Sequence, residues 1–278
     1  MRPVKNILIL GYGRLGEVFA RLYGARYTVR GVRRTPLAPA ACELVLAPIQ
    51  SERVASELAW ADAVIFSPTS GSREAAAYRD TYLGNLSFAL ARLADRPRPA
   101  TVVLIGSTGI YPSRTPGSWS EERPILVEDA RQETLLLTEH TLRRSNQSWV
   151  ILRCGGLYDT TPVGGALVRR GAVRTSELAD QPVALVHRED VAGVIDRVLT
   201  TGIRGEIFNV VDDSELRRGD WYRWIARLRG LPVIEDGPPP PAVERRIPNS
   251  KLKLRLDYSF RHRRRLTDDP QDAAGDHA

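Results

Sequence analysis

A chain of 278 residues with 42% hydrophobic and 26% charged side chains has the make-up of a globular protein, which excludes a collagen-like, a disulfide-stapled and a wholly disordered chain. No run reaches the ~18 uninterrupted apolar residues of a membrane helix, and the start lacks the cleavage pattern of a secretion signal, so no membrane partner and a cytoplasmic location are expected. The net charge of +7 would suit nucleic acid, yet the arginines are spread along the chain, so the run from Arg261 to Arg265 is read as a solvated basic surface and nucleic acid is disfavoured.

Short runs rich in Val, Ile and Leu alternate with longer stretches of helical periodicity. Strands are predicted at 4–10, 27–32, 44–49, 63–67, 102–105, 149–153 and 207–211, and helices at 14–23, 51–59, 73–94, 127–145 and 189–200. Such alternation predicts an α/β protein: a doubly wound parallel sheet with helices on both faces. After Val211 the pattern changes to one amphipathic helix over 213–230, with Trp221 and Trp224 as core residues. A proline-rich linker, a short basic-apolar segment over 242–258 and a tail over 267–278 expected to be disordered complete the chain. Cys42 and Cys154 are expected as buried free thiols. The four histidines show no ligand spacing, and no metal site is expected.

Gly11-Tyr12-Gly13-Arg14-Leu15-Gly16 lies between the first strand and the first helix. The first glycine permits the turn, the second lets backbone approach a pyrophosphate, and the third lets helix pack on strand. The helix N-terminus adds free N–H groups and the positive end of its dipole. Dinucleotide binding is the reading. At the end of the second strand, where an acid would select NAD, the chain carries Arg33 and Arg34. Guanidiniums there suit the 2′-phosphate of NADP, and Arg14 is a further candidate, so NADP is expected rather than NAD. Ser67, Pro68 and Thr69 follow the fourth strand at the carboxyl edge of the sheet, where open α/β sheets bind ligands; they are expected against the nicotinamide ribose.

Further along stand Ile105-Gly-Ser-Thr-Gly-Ile-Tyr111, Trp149-Val-Ile-Leu-Arg153 with Gly156-Leu-Tyr158, Val186-His187-Arg-Glu-Asp190-Val191, Phe208-Asn-Val-Val-Asp212-Asp213 and Arg246-Ile-Pro-Asn-Ser-Lys-Leu252. In order and spacing these resemble segments of the extended short-chain dehydrogenase/reductases, the NAD-dependent epimerase/dehydratase group and in particular its small atypical members. The resemblance implies a Rossmann core from 1–155 plus about 181–211, and a small C-terminal substrate lobe from about 156–180 and 212–262. It implies hydride exchange between NADP(H) and a carbonyl or alcohol, with a nucleotide sugar as one candidate substrate. It also implies that helices over 75–94 and 127–145 could join two copies in a homodimer.

Ser107 matches the family's Ser/Thr that positions the substrate. The family's Tyr-xxx-Lys pair does not match: its two places fall on Arg131 and Leu135, with no tyrosine between 111 and 158 and no lysine between 5 and 251. Tyr111 is then the first candidate for the proton, Arg131 for steadying an anionic substrate or oxyanion, and His187 a lesser candidate. Glu139 and His140 are read as solvated or interfacial. The leading expectation is an NADP-dependent oxidoreductase or epimerase-like enzyme. The rival, which the missing pair favours, is a non-catalytic NADP-binding sensor or regulatory protein.

Overall fold

The computed structural model describes residues 3–72, 74–159, 171–178, 180–239, 241 and 243–266. The expectations for 160–170 and for the tail from 267 fall outside the described residues.

Seven strands form the central sheet: β1 (Asn6–Leu10), β2 (Thr28–Arg33), β3 (Glu43–Leu46), β4 (Ala63–Phe66), β5 (Thr101–Ser107), β7 (Ser148–Cys154) and β11 (Glu206–Val210). Their order is β11-β7-β5-β4-β1-β2-β3, and every pairing is parallel. The doubly wound α/β fold is therefore the one the pattern predicts. Strand residues alternate between two apolar layers, as period-2 side chains must. Ile7, Ile9, Val103 and Val150 pack on one face with α1 (Arg14–Tyr23) and the helix 188–201. Leu8, Leu10, Val102 and Leu104 pack on the other with α2 (Glu52–Trp60) and α4 (Asn85–Ala94).

The predicted helix over 73–94 is interrupted. After α3 (Ala75–Arg79), residues Asp80–Gly84 form a π-helical turn before α4. Asn85 explains it. Its side-chain amide donates to the Thr81 carbonyl, four residues back, at 3.0 Å, and its backbone N–H reaches the Asp80 carbonyl instead. A side chain has taken the α-helical acceptor.

Helix α5 (Ala130–Arg143) starts at its cap: the Asp129 carboxylate accepts from the N–H groups of Arg131 and Gln132. Beyond β7, short strands β8 (Gly156–Tyr158) and β10 (Leu185–His187) pair with each other, as do β9 (Val173–Arg174) with β12 (Val233–Ile234), and β6 (Gly117–Ser118) with β13 (Arg245–Arg246). Helix α6 (Arg188–Thr201) closes the core, and α7 (Arg218–Arg229) and α8 (Ser250–Leu256) follow. Helix α7 starts five residues later than its pattern suggests. The N–H of Ser214 bonds Asp212, and Val183 and Gln181 bond Leu216 and Arg218 through the backbone, which holds 214–217 extended. Trp221 and Trp224 are buried in a separate apolar cluster with Tyr158, Val173, Leu178 and Leu185, as expected of core residues. Cys154 is buried, but Cys42 is only half-buried, because it precedes β3, at the sheet's edge. No helix among the described residues is long and apolar enough to cross a membrane.

Candidate functional site

A parallel sheet puts the carboxyl ends of all its strands on one edge. Here Gly11, Ser67, Ser107, Arg153 and Asn209 stand at or near that edge, on β1, β4, β5, β7 and β11 or just past them.

The glycine loop has three glycines with three different reasons. Gly11 has φ +88, and a Cβ there would stand 2.5 Å from Pro68 Cα; the turn and the loop after β4 both require its absence. Gly16 lies under the ring of Tyr12, 2.8 Å from where its Cβ would be. Gly13 differs: a Cβ would meet nothing within 4 Å, and its φ of −120 is ordinary. The fold itself does not need glycine at 13, so the space beside it is free for a ligand. Gly13 is also the N-cap of α1, and no side chain caps that helix. Its first N–H groups are left for an anion. A dinucleotide fits this cradle. Tyr12 is buried, its hydroxyl donating to Glu17 at 2.6 Å, so it supports the loop from beneath. Leu15 is buried in the core, and the exposed Arg14 lies 4.0 Å from Asp159.

At the end of β2, Arg33 is half-buried and its Nε is buried with no hydrogen-bond partner among the described residues; its Nη2 donates to Thr35 at 3.3 Å. Arg34 is exposed. Ser67 and Pro68 lie half-buried against Gly11, and Thr69 is exposed.

On β5 the Ser107 Oγ accepts from the Gly109 N–H at 3.0 Å, which caps the 3₁₀ turn Thr108–Ile110. Tyr111 is elsewhere engaged. It is 1% exposed, its hydroxyl donates to Asn209 Oδ1 at 2.7 Å, and the same oxygen accepts from Arg153 Nη1 at 2.8 Å. Arg153 in turn forks onto Glu139 with bonds of 2.9 and 2.7 Å. The far end is Glu121, a buried carboxylate that accepts from the Asn209 N–H at 2.6 Å. Burial pushes the Tyr111 phenol up, against the pull of Arg153, and burial likewise raises Glu121. This chain of contacts runs under the edge of the sheet, with Asn209 ruling out proton relay beyond Tyr111, since an amide carbonyl only accepts.

Arg131 is exposed on the first turn of α5 and pairs with its own cap, Asp129, at 3.3 Å. Leu135, at the place of the family's lysine, is buried against Ile110, Tyr111 and Trp119. Glu139 is not solvated, as the sequence suggested, but 3% exposed and paired; His140 is exposed.

The basic run is a solvated surface only in part: Arg261, Arg263 and Arg265 are exposed, whereas His262 is half-buried and Arg264 buried. Asp190, fully buried, accepts from the N–H groups of Arg261 and His262, from the Tyr258 hydroxyl at 3.0 Å, and lies 3.0 Å from His262 Nδ1. His262 stacks on His187 with ring centroids 3.9 Å apart, so two histidines and Glu189 do converge, contrary to their spacing. His187 Nδ1 caps α6 by accepting from the Glu189 N–H at 3.2 Å. Its proton is therefore on Nε2, which leaves no lone pair there for a metal. Burial, helped by His262, holds His187 down to about 4, so it is a neutral cap at pH 7.

Sequence reasoning missed Asn209, Arg153 and Asp190; only the quoted segments that hold them offered a signal.

A profile of a family described as NAD(P)H-binding matches residues 13–201. No curated protein matches. Among solved structures, the chain is similar to a short-chain dehydrogenase/reductase superfamily protein of Agrobacterium tumefaciens with bound NAD, at 19% identity and a TM-score of 0.78, covering 97% of this chain and 96% of that one. It is similar to a protein of Methylobacillus flagellatus assigned as an NAD-dependent epimerase/dehydratase, at 25% identity and TM-score 0.71, over 93% of each chain. A third is the UDP-glucuronic acid 4-epimerase of Bacillus cereus with UDP-glucuronic acid and NAD, at 15% identity and TM-score 0.74, over 97% and 96%.

Proposed function

The chain belongs to the NAD(P)H-binding family, and from that premise we propose that it is an NADP(H)-dependent oxidoreductase acting on a carbonyl or alcohol. The observation that carries the reading is the open face at Gly13 beside the uncapped start of α1. Arg33, half-buried at the end of β2, and the exposed Arg34 beside it support NADP over NAD, with Arg14 on the loop. Ser67, Pro68 and Thr69 border the nicotinamide ribose.

When bound, the dinucleotide supplies the hydride donor or acceptor. Ser107 does the rest that this chain's own edge offers. Its oxygen is fixed by the Gly109 N–H, which leaves its O–H to hydrogen-bond the substrate oxygen as charge develops there, while the proton that completes the alcohol is taken from solvent water. Tyr111 is reassigned: with its hydroxyl committed to Asn209 and Arg153, it anchors the turn that carries Ser107 rather than donating the proton. Arg131 remains a candidate contact for an anionic substrate on the exposed side. With Leu135 in the lysine's place and Tyr111 committed to Asn209 and Arg153, no general base is proposed at this edge, so turnover is slow and biased toward reduction. A nucleotide sugar, as in the Bacillus cereus neighbour, is one candidate substrate.

The second reading is a non-catalytic NADPH-binding sensor, favoured by Arg131 and Leu135 at the pair's two places. Loss of NADPH absorbance over a panel of aldehydes, ketones and nucleotide sugars separates the two. Turnover that falls ~10²-fold in Ser107→Ala, with NADPH affinity kept, supports the enzyme. NADPH binding without turnover on any member supports the sensor, and absence of NADPH binding ends both.

A further inference from the structure

Strands β8 and β10 run parallel, with Tyr158 opposite His187. The residues that follow them, Asp159 and Arg188, therefore leave the two strand ends side by side. Arg188 opens α6, and its Nη1 donates to Asp159 Oδ2 at 2.5 Å. Its side chain is 14% exposed, and burial lowers its basicity while Asp159 opposes the fall. No other carboxylate among the described residues pairs with it. A guanidinium so far withdrawn from water needs a counter-charge, and Asp159 supplies it.

The same carboxylate oxygen faces a second cation. Arg14 Nη1 lies 4.0 Å from Asp159 Oδ2. Arg14 is the first residue of α1, directly after the open cap at Gly13, and its side chain is 72% exposed. Helices α1 and α6 pack on the same face of the sheet, which brings their first residues to one acid. The two guanidiniums repel each other, and Arg14 adds to the fall in the basicity of Arg188. One negative charge is thus divided between two positive ones, and it stands beside a helix start that is open to an anion.

We propose that Asp159 competes with the phosphates of the dinucleotide for Arg14, and thereby sets how tightly the cofactor is held. The proposal rests on the dinucleotide reading of the glycine loop. With the loop empty, Arg14 leans on Asp159. A phosphate at the loop offers Arg14 more charge, and oxygens better matched to its fork, than a share in one carboxylate. An exposed pair is weak, so Arg14 turns to the phosphate and Asp159 is left to Arg188 alone. The cofactor has to displace that pair and also to meet a like charge nearby. Both effects loosen it.

The test is a titration of the full-length protein with NADPH and, separately, with NADH, read by tryptophan-to-nicotinamide energy transfer. Asp159→Asn removes the charge while keeping the size of the side chain and an acceptor for Arg188. Affinity is expected to rise about three- to tenfold. A rise for both cofactors puts Arg14 on the pyrophosphate, and a rise for NADPH alone puts it on the 2′-phosphate. In an Arg14→Gln background the same substitution should leave affinity within about twofold. Unchanged or weaker binding in Asp159→Asn overturns the proposal and makes Asp159 only a tether of β8 to α6. An equal rise in both backgrounds also overturns it, because Arg14 is then not the group competed for. If Asp159→Asn does not fold, Arg188→Gln decides. It leaves Asp159 wholly to Arg14, so affinity should fall about threefold, and should not fall further in the Arg14→Gln background. A fall that persists there means that Arg188 itself holds the cofactor, and overturns the proposal. A wild type and an Asp159→Asn variant that both bind neither cofactor would instead sink the dinucleotide reading, and the proposal with it.

Discussion

The two halves of the sheet's carboxyl edge are built from different materials. On the β1–β4 side the surface is backbone: a glycine loop, an uncapped helix end, and empty space beside Gly13. On the β5–β7–β11 side it is side chain: Glu139, Arg153, Tyr111, Asn209 and Glu121 bonded end to end and buried. The first half is proposed to spend its hydrogen-bonding capacity on a ligand. The second has already spent it on the protein. The difference teaches that binding and stability are separable along one edge, and each can be broken without the other.

The sharpest break is at Arg153. Arg153→Leu leaves the Glu139 carboxylate buried at 4% exposure without its partner, and such a loss costs about 3–5 kcal/mol. Urea denaturation should show it, while NADPH affinity per folded molecule stays at the wild-type value. A variant as stable as wild type would mean that the pair is not what holds β7 to α5.

The mirror experiment is Gly13→Val. Open space and ordinary φ predict an unfolding midpoint close to wild type, while a side chain in the anion cradle should weaken NADPH binding on the order of 100-fold, about 2.7 kcal/mol. Tryptophan-to-nicotinamide energy transfer reads the affinity. Unchanged binding removes the glycine loop from the site.

A smaller effect is expected of Arg33→Ala with Arg34→Ala. Charge-assisted hydrogen bonds contribute roughly 1.5–3 kcal/mol, so NADPH affinity should fall tenfold or more and NADH affinity should hold. Equal preference for both cofactors in the wild type would already contradict it.

The smallest is a pH effect on the buried side. His187 is held down to about 4 against an unfolded value near ~6.5. The unfolded chain therefore binds the proton first, and the stabilisation present above ~6.5 is lost as pH falls toward 4. Between pH 7 and 5.5 this group should account for about 1 kcal/mol, and His187→Gln should flatten the slope by that amount in thermal melts.

The same division marks what could be read from the sequence. The glycine loop was legible because its requirements are local: a turn, a helix start and a close approach all fall within six residues. The parallel sheet was legible because strands buried on both faces are written as continuous apolar runs. The network was not. Arg153 and Glu139 lie 14 residues apart, and Tyr111 and Asn209 lie 98 apart; only folding brings them together. Glu139 looked solvated because a glutamate on a helix usually is. The π-turn at 80–84 escaped because one Asn side chain, not the apolar period, decides it. Two-residue strands such as β6 and β13 have no period to read at all. The run from Arg261 to Arg265 was legible as surface at Arg261, Arg263 and Arg265, which are exposed, but not at His262 and Arg264, whose ring partners His187 and Trp224 lie far off in sequence.

Asp190 also bears on how the molecule is made. A carboxylate with no exposure to water at the start of α6 gathers the backbone of Arg261 and His262, over 70 residues downstream. During synthesis, the helix that seals one face of the sheet emerges long before the groups that quiet its buried charge. Until residue 262 has emerged, closing α6 onto the sheet would bury an unanswered ion, so the growing chain has reason to leave that face ajar. The nucleotide half of this protein should therefore not mature on the ribosome ahead of the rest, and chains interrupted before the last two dozen residues should be recognised by the cell as unfinished.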